Sequence, residues 1–183
     1  MPRALGVLVV MLGVLIGTSS LGQAESGQIE PGKRIGPIAL EMPVEEVVAS
    51  LGQPDRMATY SSGQPDRYFY DGQQLEIQFD HPLRNEIPSC VYMIHTTSNG
   101  YVGADGVTIG SSSANVARAY GTDYEGVQGE GFWVMFYGNL GIRFEYESGS
   151  DLVREIGVLH PKKPAVDEVD GFGGRTPEQW EGE

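Results

Sequence analysis

Leu40-Glu41-Met42-Pro43-Val44-Glu45-Glu46-Val47-Val48-Ala49-Ser50-Leu51-Gly52 decides the fold, because the chain repeats its pattern 69 residues later. The second version is Ile109-Gly110-Ser111-Ser112-Ser113-Ala114-Asn115-Val116-Ala117-Arg118-Ala119-Tyr120-Gly121. Leu40 aligns with Ile109, Val47 with Val116, Val48 with Ala117, Leu51 with Tyr120 and Gly52 with Gly121, whereas Ala49 against Arg118 is a mismatch. Farther on, Leu75-Glu76-Ile77-Gln78-Phe79 aligns with Leu140-Gly141-Ile142-Arg143-Phe144, and Val91-Tyr92-Met93-Ile94 more weakly with Val153-Arg154-Glu155-Ile156. Repetition at this period predicts two copies of one supersecondary unit that bury their apolar faces together.

Each copy opens with a short helix. In the first, Val44, Val47, Val48 and Leu51 form one stripe, Pro43 suits a first turn, and Glu45 and Glu46 favour the positive helix start. Gly52 is the expected stop, and Pro54 prevents continuation. In the second, Ser111, Ser112 and Ser113 offer hydroxyls to cap a helix over 114–120, with Gly121 ending it.

Strands follow each helix. They are expected over 67–70, 74–79 and 90–96 in the first copy, and over 132–137, 140–147 and 152–159 in the second. Asp71-Gly72 and Gly138-Asn139 mark the first hairpin turns. Leu140, Ile142, Phe144 and Tyr146 alternate with Gly141, Arg143, Glu145 and Glu147, so one face is buried and the other wet. Gly52-Gln53-Pro54-Asp55-Arg56 returns as Gly63-Gln64-Pro65-Asp66-Arg67, turn chemistry framing a loop over 58–62. The fold class is therefore α+β: two tandem αβββ repeats forming antiparallel sheet, with short helices on one face.

The ends carry different information. Arg3, the apolar run 5–16 and the small residues Gly22-Gln23-Ala24 read as an export signal covering residues 1–24. The alternative, an uncleaved anchor, meets a run much shorter than the roughly 20 residues a membrane span needs. Residues 25–33 read as a polar linker, 34–100 as the first unit and 101–160 as the second. The tail, 161–183, is acidic, and its composition predicts disorder.

Among 183 residues, 12 are basic and 25 acidic, a formal charge of −13 that becomes −14 when Arg3 leaves with the signal. Such a balance disfavours nucleic acid, which is bound by clustered Lys and Arg. No stable membrane insertion is expected after signal cleavage. Cys90 is the only cysteine, so no internal disulfide can form, and a buried apolar role is expected for it.

No cofactor is expected and no catalytic set is evident. His81, His95 and His160 share no metal-ligand spacing, so no metal site is expected. The serine cluster lacks a recognisable histidine or acid beside it, which favours capping; a hydrolase would need Ser111–Ser113 brought near His95 or His160. The first strands are rich in aromatics, and alternation sends only half of each set inward. Tyr68, Tyr70, Trp133 and Tyr137 are the candidates for the outward half, and exposed Tyr and Trp on a sheet suit a protein partner.

Gly110 followed by Ser111 and Ser112, then Val116 on the inner helix face, resembles the β-lactamase-inhibitor-protein-like fold. The first copy matches with Met42, Glu46, Val47 and Gly52, but has Glu41 where that family usually has glycine. The resemblance covers about residues 33–160 and implies relatives of two kinds: secreted tandem-repeat inhibitors of β-lactamases, and small outer-membrane lipoproteins of the barrel-assembly machinery. A single cysteine cannot supply the inhibitors' disulfides, and no cysteine follows the apolar run for a lipid anchor. Taken together, these features lead to an exported, periplasmic or extracellular, non-enzymatic protein-binding module, with an inhibitor of a β-lactamase or protease as the alternative and a hydrolase as a third reading.

Overall fold

The computed structural model describes residues 27–80 and 89–162. The export segment, His81 and the acidic tail beyond Lys162 lie outside the described residues. Helix α1, Val44–Leu51, and helix α2, Ser113–Tyr120, occupy the two aligned stretches. Ser112 caps α2 by accepting a hydrogen bond from the Asn115 backbone N–H at 3.3 Å, while α1 starts at Pro43 without a side-chain cap.

The main sheet has eight antiparallel strands. After α1 come β4, Arg56–Thr59, β5, Pro65–Tyr70, β6, Leu75–Phe79, and β7, Val91–Thr96. After α2 come β8, Glu125–Gly129, β9, Phe132–Tyr137, β10, Ile142–Glu147, and β11, Val153–Leu159. Their order across the sheet is β4-β5-β6-β7-β11-β10-β9-β8, so the two last strands meet in the middle and the two first strands form the edges. Each helix is thus followed by four strands where the sequence patterns predicted three. The unforeseen ones are the edges: β8 contains two glycines and shows no buried residue, and β4 is nearly as exposed, so neither carries the alternation that reveals a strand.

The halves share finer detail. Glu41 N–H donates to the Val91 carbonyl and Val91 N–H to that of Met42; likewise Gly110 N–H donates to Val153 and Val153 N–H to Ser111. The Tyr70 hydroxyl donates to the Gly52 carbonyl at 3.1 Å, and the Tyr137 hydroxyl to the Gly121 carbonyl at 2.8 Å. Because Tyr70 pairs with Leu75 and Tyr137 with Ile142, Leu75 corresponds to Ile142. Aligning Ile77 with Ile142 from sequence is therefore two residues out of register, a slip that a period of two conceals because it keeps every side chain on its face.

One core lies beneath the sheet. Leu75, Ile77 and Phe79 from one half join Ile142, Phe144 and Tyr146 from the other, with Val47 and Val116 of the helices completely buried against them. Three two-residue strands, β1, Ile29–Glu30, β2, Arg34–Ile35, and β3, Ile38–Ala39, form a second small sheet. It places Ile29, Ile35 and Ile38 in the same core. Residues 27–33 are consequently not a linker lying outside the core: Ile29 pairs with Ile35, and its N–H donates to the carbonyl of Val102 at 2.9 Å. The opposite, outer sheet face carries neither helix.

Candidate functional site on the outer sheet face

All four predicted outward aromatics point the other way. Tyr70 and Tyr137 are 2% and 0% exposed, respectively, and belong to the core. Tyr68 packs edge-on against Phe79 at 4.9 Å, and Trp133 stacks on Tyr146 at 4.1 Å. For Tyr70 and Tyr137 the physical reason is the hydroxyl. A tyrosine can bury its ring and still satisfy its polar end at a helix C-terminal carbonyl, so polarity at the tip did not signal exposure. Burial, with the neighbouring phenols Tyr124 and Tyr120, pushes the Tyr137 hydroxyl up to about 12.

The outer face presents phenylalanines instead. Phe69 lies under the Arg56 guanidinium at 4.5 Å, Phe132 under Arg154 at 5.8 Å, and Phe136 under the Lys162 ammonium at 4.8 Å. Each cation is also held by a carboxylate: Arg56 by Asp71 at 2.8 Å, Arg154 by Glu145 at 2.5 Å and Lys162 by Glu125 at 3.2 Å. Stacking a cation on a ring is worth about 0.5–1 kcal/mol at exposed sites. It also covers an apolar surface that would otherwise face water.

Pairing aligns Arg56, Phe69, Glu76, His95, Gly157, Arg143, Phe136 and Glu125 in one row across all eight strands. His95 and Gly157 face each other where the two halves join. Gly157 leaves room for its neighbour: a Cβ there would stand 2.8 Å from Arg143 Nε and 2.9 Å from its Cγ. Arg143 uses that space to reach Glu155 at 2.5 Å, and it also lies 3.6 Å from Glu145.

His95 Nδ1 is 2.8 Å from Glu155 Oε1 and 3.1 Å from Arg143 Nη2. Glu155 accepts from Nδ1 when that nitrogen carries the proton and Arg143 donates to it when it does not, while Arg143 also donates to the same Glu155 oxygen. Burial pushes the Glu155 carboxyl upward, but the His95 hydrogen bond and the Arg143 guanidinium outweigh it and hold the group below its usual range. His95 is only 6% exposed, and its Nε2 has no partner among the described residues. A groove of about 300 Å³ runs beside it, lined among others by Phe69, Asp71, Glu76 and Glu155.

The serines are engaged elsewhere. Ser111 Oγ accepts from the Thr108 N–H at 3.0 Å, Ser112 caps α2, and the Ser113 hydroxyl donates to Asp151. Cys90 is half-buried, with its thiol pushed up by burial and by nearby acids, Asp80 first. Among the described residues, no three His, Cys, Asp or Glu side chains group as metal ligands, and no helix is long and apolar enough to cross a membrane.

Sequence reading missed Phe69, Phe132 and Phe136 as the outer set. The signal was available: Arg143 and Glu145 were assigned outward, and extending that alternation to a paired strand sends Phe136 outward as well.

Neither a family model nor a curated protein matches the chain. Two solved structures resemble it weakly in fold. One is an extracellular protein containing a SCP domain from Bacillus anthracis, 10% identical, aligned over 64% of this chain and 43% of that one with a TM-score of 0.41. The chain thus spans less than half of that protein. The other is a DUF4309 family protein from Bacillus subtilis, 12% identical, aligned over 64% of this chain and 78% of that one, also with a TM-score of 0.41.

Proposed function

We propose that the protein is an exported, non-enzymatic binding module whose outer sheet face receives a protein partner. The observation that carries this reading is the helix-free face itself, where three phenyl rings lie beneath removable cations and a charged row spans the sheet. Aromatic rings and arginines are the side chains that concentrate binding energy at protein interfaces. A partner carboxylate can draw Arg56, Arg154 or Lys162 aside and dock on the ring it uncovers.

The two halves are, in this reading, copies of one αββββ unit. The matching hydroxyl bonds of Tyr70 and Tyr137 support that duplication, as do the matching backbone bonds before each helix. Export rests on the N-terminal sequence pattern, and kinship with the β-lactamase-inhibitor-protein-like fold rests on the glycine–serine helix entry.

Capture from an envelope extract tests the face. Phe69→Ala combined with Phe132→Ala is expected to lower partner recovery at least about tenfold, the effect of losing interfacial anchors. Equal recovery by a variant that retains its fold rejects the face. Inhibition of a β-lactamase or protease remains the second reading, suggested by the helix-entry resemblance, and rate loss on titration into such enzymes would support it.

A further inference from the structure

The outer row of the main sheet matches itself when reversed. Strand order runs β4-β5-β6-β7-β11-β10-β9-β8, so a half-turn about an axis parallel to the strands, placed over the β7–β11 join, exchanges β4 with β8, β5 with β9 and β6 with β10. Two copies laid outer face to outer face about that axis set Arg56 against Glu125 of the second copy, and Glu76 against its Arg143. Phe69 meets Phe136, and His95 meets Gly157, which has no side chain to oppose it. Two residues along from that central pair, Met93 and Leu159 share the outer face and bring half-buried apolar surface to the axis. An axis running across the strands would instead lay each residue on its own copy, Arg56 on Arg56 and Glu76 on Glu76. The charges therefore select one of the two ways in which this face can meet itself.

Resting on the binding-face reading above, we propose that the partner of the outer face is a second copy of this chain, packed about a twofold axis parallel to the strands. Such an interface is isologous, so each charged contact occurs twice and its contribution is doubled. Sheets stack face to face about 10 Å apart with their strands within about 30° of each other, which this axis permits. Eight strands about 4.8 Å apart, with five to six residues each, present roughly 650 Å² per copy. Standard interfaces bury about 800 Å² per partner, so the whole face must be covered and a reversible dimer is expected. The chain's net negative charge opposes approach, but that field is screened over about 8 Å at physiological salt, whereas the matched pairs act at contact.

Sedimentation velocity of the purified chain over a range of concentrations tests this. A monomer–dimer equilibrium is expected, with a Kd of about 1–100 µM for a face of this size. Arg56→Glu alone places a carboxylate against Glu125 of the second copy, and Glu125→Arg alone places a guanidinium against its Arg56. Each is expected to weaken self-association at least about tenfold, because like charges then meet at two contacts per dimer. The two side chains are 62% and 61% exposed, so the changes spare the core. Mixed one to one, the two single variants face each other with opposite charges at both contacts, and a heterodimer about as stable as the wild-type dimer is expected. A monomer at every concentration up to about 500 µM would overturn the proposal. So would dimers indifferent to both reversals, or a mixture no better associated than its components when both melt as wild type does. A monomeric chain that still captures a different protein through Phe69 and Phe132 would sink the self-pairing and leave the face. A monomeric chain whose capture ignores those rings would sink the face as well.

Discussion

The two halves use the same inner chemistry and opposite outer chemistry. Inside, Tyr70 and Tyr137 each tie a strand to the end of a helix, and Val47 and Val116 fill equivalent buried places. Outside, Arg56 and Glu76 in one half stand where Glu125 and Arg143 stand in the other, and His95 stands opposite Gly157. The inner residues answer to packing, which tolerates little change in volume. The outer residues are free of that demand, and it is on the proposed binding face that the halves differ. The lesson is that a face differing in charge across a joined pair of similar units is more informative than the residues they share.

The strongest way to break the comparison is to empty one half of its core. Phe144→Ala is expected to cost about 3–5 kcal/mol, and Ile77→Ala, at the corresponding place, about 2–5 kcal/mol. Both should move a single thermal transition, because both side chains enter one continuous core. Two separate transitions would show that the halves melt independently.

The join itself is probed next. Glu155→Gln removes the charge shared by His95 and Arg143 and is expected to cost about 1.5–3 kcal/mol at neutral pH, the range for hydrogen bonds to charged groups. Since the folded carboxyl is held below its usual range, its contribution is present above the unfolded value and disappears as pH falls through the folded one. Denaturation of wild type and variant across pH should therefore show a gap that is wide at neutral pH and closes in acid.

Gly157→Ala sharpens the asymmetry of the central pair. The added methyl would press on Arg143 Nε and Cγ, and the variant is expected to lose about 1–3 kcal/mol by chemical denaturation. An unaffected midpoint would show that Arg143 does not depend on the space above Gly157.

The smallest effect runs in the opposite direction. Glu41 has φ 65° at the place where Gly110 has φ 85° in the other half. A side chain in that left-handed region costs roughly 1–2 kcal/mol, so Glu41→Gly is expected to stabilise by about 1 kcal/mol once glycine's greater unfolded-state freedom is counted. Gly110→Ala should destabilise by a similar amount, and the two midpoints would shift in opposite senses.

Much of the fold was legible because burial writes a pattern. Val44–Leu51 reads as a helix from its stripe, and β6, β9, β10 and β11 read as strands from alternation or apolar density. The edges β4 and β8 were silent because an exposed strand has no inner residue to betray its period. The site was less legible still. Tyr70 and Tyr137 are buried by virtue of hydroxyl bonds to residues 18 and 16 positions away, and His95 meets Glu155 across 60 positions of chain. Local spacing contains neither contact; only the order of the strands creates them.

Site-specific photo-crosslinking tests most directly whether the outer face is the working face. A benzophenone side chain placed at Phe69 or Phe136 would report on that face, and one placed at Met57, 60% exposed on the side of β4 facing the helices, would report on the other. Adducts with one envelope protein from Phe69 and Phe136, and none from Met57, are the predicted result. Adducts from Met57 alone would contradict the account.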